Sequence, residues 1–143
     1  MGLIPFTITD GNRGGMLTNN AYTNITDCLD GTSNTIMLVE DAGRPKVYAK
    51  GKLRTDSYTW TSGAAWADNE GQFSLHGFSA DGMTSGGPCG VNCSNGNEIY
   101  AFHSGGANVT MGDGSCRFLR EGINIGTLAA MVTKANGEVY NDN

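Results

Sequence analysis

Hydrophobic positions along the chain alternate with turn-forming clusters more often than they fall into long runs. Thr35 to Glu40 (TIMLVE) is apolar and β-branched. It is introduced by Asp30-Gly31-Thr32-Ser33-Asn34, side chains that close turns by bonding their own backbone, and it predicts a strand over 35–40. Residues 46–50 and 57–61 each suit a short strand, and 63–97 reads as loop broken by glycines. Glu98–Phe102, Asn108–Gly112 and Ser115–Leu119 are three further strand-like runs, separated by Ser104-Gly105-Gly106 and by Asp113-Gly114. Asp-Gly between strands signals a hairpin, since both central residues tolerate positive φ. From Ile125 to Lys134 the period becomes helical, with Leu128, Met131 and Val132 on one face and Asn124 at the N-cap. Asn136-Gly137 ends that helix, and Val139-Tyr140 returns as a last short strand. The pattern predicts an α+β, mostly β fold in one domain over 1–143. Its parts are an irregular arm (1–34), a three-stranded antiparallel meander (98–119) and a short C-terminal helix (124–135).

Composition narrows the class. With 22 Gly, 38% hydrophobic and 16% charged residues, the chain lacks the Ala, Leu, Glu and Lys of a helical bundle. Five Tyr, five Phe and two Trp exclude a charge-driven disordered tail. A net charge of −5 excludes a general nucleic-acid binder. Basic residues concentrate in Arg44, Lys46, Lys50, Lys52 and Arg54, and the alternation of the last three predicts one face of an edge strand blunted by lysines. No run reaches the roughly 18 apolar residues of a membrane span. Met1-Gly2-Leu3-Ile4-Pro5-Phe6 is too short for a signal peptide, so an export segment is expected to lie outside this chain.

Cys89 and Cys93 form a close pair, while Cys28 and Cys116 stand alone. Structural zinc asks for two close pairs, so the pattern favours disulfides: Cys89–Cys93 closing a small loop, and Cys28–Cys116 joining distant segments. Either bridge implies an oxidising, extracytoplasmic compartment.

Two motifs in fixed order carry a resemblance. Asp30-Gly31-Thr32-Ser33-Asn34-Thr35-Ile36-Met37 through Glu40 is followed by His103, nine residues, then Asp113-Gly114-Ser115 and Arg117-Phe118-Leu119. This resembles the prepilin-processing-associated, pseudopilin-like family of planctomycete type, named for its His-(nine residues)-Asp-Gly signature. Thr127-Leu128 through Gly137-Glu138-Val139 also fits that family's tail. The resemblance implies a type IV pilin-like or pseudopilin-like head at the cell envelope, with other pilin-like subunits or envelope proteins as partners. It implies no settled biochemical role. The long hydrophobic N-terminal helix of such proteins is absent here, and Cys116 stands where the family more often has an aliphatic residue.

His103 and Asp113 invite a catalytic reading. In a plain meander they close opposite ends of one strand, about 16 Å apart, and act separately. The same meander places Asp113 beside Asn95, Asn97 and Glu98, whose oxygens are the hard donors that calcium takes at six to eight positions. Calcium sites in some type II secretion pseudopilins add an analogy. Asp113, Glu98, Asn97 and Asn95 are therefore the expected calcium ligands, with Asp27, Asp30 and Asn34 a weaker second set. The leading function is a structural, calcium-stabilised pseudopilin-like envelope protein. One alternative is a calcium-dependent hydrolase of a small ester or lactone working through His103 and Asp113. A second is an extracellular glycan- or peptide-binding module using Tyr58, Trp60, Trp66, Phe73 and Phe78, although aromatics in a glycine-rich β domain are more often its core.

Overall fold

The computed structural model describes residues 14–17, 22–65, 68, 70–71, 73–135 and 137. The architecture is α+β and mostly β. Strand β1 (Ile36–Val39), the hairpin β2 (Tyr48–Ala49) and β3 (Lys52–Leu53), then β4 (Gly106–Met111), β5 (Cys116–Arg120) and helix α1 (Ile125–Val132) follow in order. The main sheet is antiparallel with strand order β1-β4-β5. Its central strand alternates strictly: Ala107, Val109 and Met111 are buried, while Asn108 and Thr110 face outward. Those three pack with Ile36, Leu119 and, from α1, Leu128, Ala129 and Met131. Leu75, Val91, Ile99 and Ala101 close the core from the loops.

Helix α1 begins where the sequence places it. The Asn124 side chain accepts from the Gly126 and Thr127 amides, satisfying donors that the first turn leaves free. It ends at Val132, because Thr133 is extended (ψ 144°). The expected strand at Val139-Tyr140 lies outside the described residues, as does half of the arm.

The meander differs from expectation in one strand. β4 and β5 form the predicted hairpin, but the third strand of the sheet is β1. Residues 98–102 instead contribute two isolated parallel bridges, Val91 to Ile99 and Asp41 to Tyr100. The chain leaving β1 passes from one partner to the other. The Glu40 amide donates to Asn108 O (3.2 Å), Glu40 O accepts from the Tyr100 amide (2.8 Å), and the Ala42 amide donates to Tyr100 O (2.8 Å). Asn92 fills the remaining gap. Its Oδ1 accepts from the Ala101 amide (2.8 Å) and its Nδ2 donates to Gly106 O (2.9 Å), so one buried side chain does the work of a missing ladder.

Turn chemistry corrects two further expectations. Only Gly114 in the β4–β5 turn takes positive φ (84°), while Asp113 acts through its carboxylate, which accepts from the Ser115 amide (2.9 Å) and hydroxyl (2.6 Å). Lys50 and Gly51 both have positive φ (47° and 79°), which makes them the tight turn of the β2–β3 hairpin. Lys50, Lys52 and Arg54 therefore do not share one edge-strand face. Lys50 reaches Glu121 (3.6 Å), and the largely buried Arg54 pairs with Asp56 and lies 5.0 Å from the Tyr58 ring. Residues 57–61 supply a single bridge, Lys46 to Trp60, and no strand.

Candidate functional site

The two motifs that carry the family resemblance lie side by side, and they meet at both ends of the β1–β4 pair. At the Ile36 end, the Gly112 amide donates to Thr35 O (2.8 Å), the Asp113 amide to Thr32 O (3.1 Å) and Arg117 Nη2 to Ser33 O (2.7 Å). Gly112 fits closely there: a Cβ would displace the end of the Met16 side chain (2.2 Å from its sulfur) and come 3.0 Å from Thr32 O. The bonds from Ser115 hold the exposed Asp113 carboxyl below the usual carboxylate range. At the other end, Glu40 Oε2 accepts from the Asn108 amide (2.8 Å), and Oε1 takes Asn108 Nδ2 (3.2 Å) and lies 3.4 Å from His103 Nε2. Burial alone would raise the Glu40 pKa, but the Asn108 amide and side chain, and then His103, hold it low. His103 and Asp113 therefore sit at opposite ends of β4, as the strand-length argument requires.

Beside Glu40 the surface opens into a cleft of about 460 Å³ lined by Glu40, Asp41, Ala42, Ala101, Phe102 and His103. Behind it lies a buried ionic cluster that the sequence reading did not single out. Arg44, almost wholly buried, reaches Asp41 with Nη1 (3.2 Å) and Thr61 Oγ1 with Nη2 (3.2 Å), and also donates to Asn97 Oδ1. Glu98 has a side chain only 2% exposed, and its Oε1 accepts from the His76 and Gly77 amides (2.6 Å each). His76 Nδ1 lies 2.6 Å from the same oxygen, but off the line of a well-formed hydrogen bond, so the contact is ionic in character. Among the described residues, the buried Asp41 Oδ1 and Glu98 Oε2 have no hydrogen-bond partner.

These surroundings shift all three titrating groups. Burial pushes the Asp41 carboxyl up to about 8; Arg44 opposes that shift and Glu98 adds to it. Burial likewise raises Glu98, against the bonds from His76 and Gly77. The Glu98 carboxylate raises the His76 pKa despite the histidine's partial burial.

The four expected calcium ligands are held apart. Asn95 is fully buried: Oδ1 accepts from the Tyr48 amide (2.8 Å), and Nδ2 donates to Ala42 O (3.0 Å) and Lys46 O (2.9 Å). Asn97 Oδ1 is taken by Arg44 and Glu98 Oε1 by the 76–77 backbone. Asp113 meets Thr32 at the start of β1, whereas the chain of Glu98 meets β1 near Asp41, about 16 Å further along. The donor set does not fit one cation, because three of its oxygens already accept from the protein and the fourth residue sits at the far end of the sheet. In the weaker set, Asp27 Oδ2 accepts from the Asn24 amide and Asn34 Nδ2 donates to Asp30 O. Among the described residues no three His, Cys, Asp or Glu side chains are grouped so that they could hold a metal ion.

Of the cysteines, Cys89 and Cys93 form the expected disulfide (Cα–Cα 6.1 Å). Cys28 and Cys116 do not pair. Cys28 is buried with its thiol 3.2 Å from Thr35 Oγ1, and Cys116 is exposed on the outer face of β5. The aromatics divide. Phe78 is in the core and Phe73 packs against it, whereas Trp60 is 66% exposed and Tyr58 partly so, which corrects the expectation that these two are core. Trp66 lies outside the described residues. Nothing in the sequence marked Asn92 or Asp41, or the burial of Asn95 and Arg44, since buried Asn and loop ion pairs have no periodicity to betray them.

A family model described as a protein of unknown function (DUF1559) matches residues 3–126. No curated protein and no solved structure matches the chain.

Proposed function

The chain belongs to that DUF1559 family, a pilin-like family, and from this premise we propose that it is a structural, pseudopilin-like protein of the cell envelope. One observation carries the reading. The residues of both signature motifs are spent on joining β1 to β4 and its turn, through Thr32, Thr35, Gly112 and Asp113 at one end and Glu40, Asn108 and His103 at the other. Groups used as stitching keep a head domain in shape and leave its outer surface free to vary. The Cys89–Cys93 disulfide supports an oxidising, extracytoplasmic setting, and no helix among the described residues is long and apolar enough to cross a membrane. Its partners in this reading are other pilin-like subunits or envelope proteins.

The test is made in cells that produce the chain natively. Thiols are trapped by alkylation, the cells are fractionated, and a photo-crosslinking residue is placed at exposed Phe118 on the outer face of the sheet. The reading expects oxidised Cys89 and Cys93, an envelope fraction and crosslinks to pilin-like or envelope proteins. Reduced thiols in a cytosolic fraction overturn it.

A further inference from the structure

Phe102 is 59% exposed, yet its ring packs against two tyrosines. Tyr48 meets it edge-on (centroids 5.0 Å apart, planes at 87°), and so does Tyr100 (5.6 Å, 90°). The backbone makes room for this: Gly43 has φ of 90°, and a Cβ there would come within 2.8 Å of the Tyr48 ring and 3.2 Å of Phe102. Burying apolar area does not account for the arrangement, because more than half of the ring stays in water. A rigid, displayed aromatic is what a binding surface uses, since it offers contact area with little rotamer entropy left to lose.

Phe102 lines the cleft together with Glu40, Asp41 and His103. Glu40 is kept ionised by the Asn108 amide and side chain. A carboxylate and an aromatic face in one small cleft select for a cation on a long stem, because the ring quadrupole and the carboxylate attract the charge while the walls cover the methylenes. Aromatic residues extend beyond the cleft: Tyr48 contacts Phe102, and the exposed Trp60 is bridged to Lys46, two residues before Tyr48. A free cation has no use for that extension, whereas a polypeptide does. The net charge of −5 also favours a basic partner.

We propose that the cleft between Phe102 and Glu40 binds a lysine or arginine side chain of a partner polypeptide. This surface stands apart from the envelope assignment, which survives if the cleft proves empty of function.

The test is a heteronuclear NMR titration of the full chain at low salt with three short, blocked peptides that differ only at a central Lys, Arg or norleucine. The Lys or Arg peptide is expected to give saturable shifts centred on Ala42, Phe102 and His103, which weaken with added salt; norleucine is expected to give none. Phe102→Leu keeps an apolar contact to Tyr48 but removes the ring face, and should weaken binding about fivefold. Glu40→Gln should weaken it at least as much and remove most of the salt dependence. Each variant is first checked for a native spectrum and melting transition. Equal shifts with the norleucine peptide, shifts centred elsewhere, or folded variants that bind like the parent each overturn the proposal.

Discussion

Replacing Asp41 by Asn should flatten the dependence of stability on pH. Burial lifts this carboxyl from its ordinary 3.8 to about 8, even with Arg44 at 3.2 Å. Between those two values the folded protein holds a proton that the unfolded chain has released, so stability falls as pH rises, by about 1.4 kcal/mol per unit. From pH 5 to pH 8 the loss is about 4 kcal/mol, a large share of the roughly 5–15 kcal/mol that holds a domain together. Its neighbours act with the same sign. Glu98 is also raised, so its contribution falls as pH climbs above its ordinary 4.5. The raised His76 stabilises fully below 6.5 and loses that contribution as pH passes its folded value. Glu40, Asp81 and Asp113 are held low, so what they contribute disappears on acidification below the ordinary carboxylate range. Stability should therefore peak at about pH 5.

The assay is urea unfolding of parent and Asp41→Asn at pH 5, 6, 7 and 8, with the m-value checked for constancy. The slope is the readout, because the variant also exchanges a carboxyl for an amide beside Arg44, which changes absolute stability by an amount separate from the titration. The parent should lose stability steadily, and the variant should lose about 1.4 kcal/mol less per pH unit. Equal slopes would refute the claim that Asp41 keeps its proton in the fold. A parent that gains stability from pH 5 to 8 would refute the sign of the whole cluster.

Three other outcomes follow from the same geometry. Asn95→Ala strands one amide and two carbonyls that its side chain now satisfies, and should cost about 3–5 kcal/mol in chemical denaturation; a loss below 1 kcal/mol would mean water replaces it freely. Cys89→Ser with Cys93→Ser releases a loop closed over a sequence separation of 4, and should cost about 2 kcal/mol by loss of chain constraint, read as a shift in the urea midpoint. Thermal transitions in excess calcium and in chelator should coincide, since Oδ1 of Asn95, Oδ1 of Asn97 and Oε1 of Glu98 are engaged within the protein and Asp113 lies at the other end of the sheet; a separation of several degrees would show a site that those bonds do not exclude.

Legibility tracked the range of the interaction that decides each feature. The β4–β5 hairpin was readable because Asp113-Gly114 is a local signal, and α1 because Asn124 and the spacing of Leu128 and Met131 lie within three turns. The exact turn was less so: Asp113 closes it with its carboxylate rather than with a positive φ. The Cys89–Cys93 bridge followed from spacing, whereas Cys28 and Cys116 could be placed only by knowing that one is buried against Thr35 and the other faces solvent on β5.

The sequence by itself determined the fold class, the hairpin, the capped helix, the short disulfide and the resemblance to a pilin-like family. All of these rest on neighbours a few residues apart or on patterns of residue type. Only the tertiary structure decided that β1, and not residues 98–102, lies beside β4. It alone decided that Asn92 and Asn95 replace missing ladders, that the expected calcium ligands face different partners, and that Asp41, Arg44, His76 and Glu98 share one buried cluster. The physical reason is common to them all. Backbone groups in a loop-rich chain must find partners somewhere, and a polar side chain more than forty residues away can satisfy them as well as a strand can, with no periodicity in the sequence to announce it.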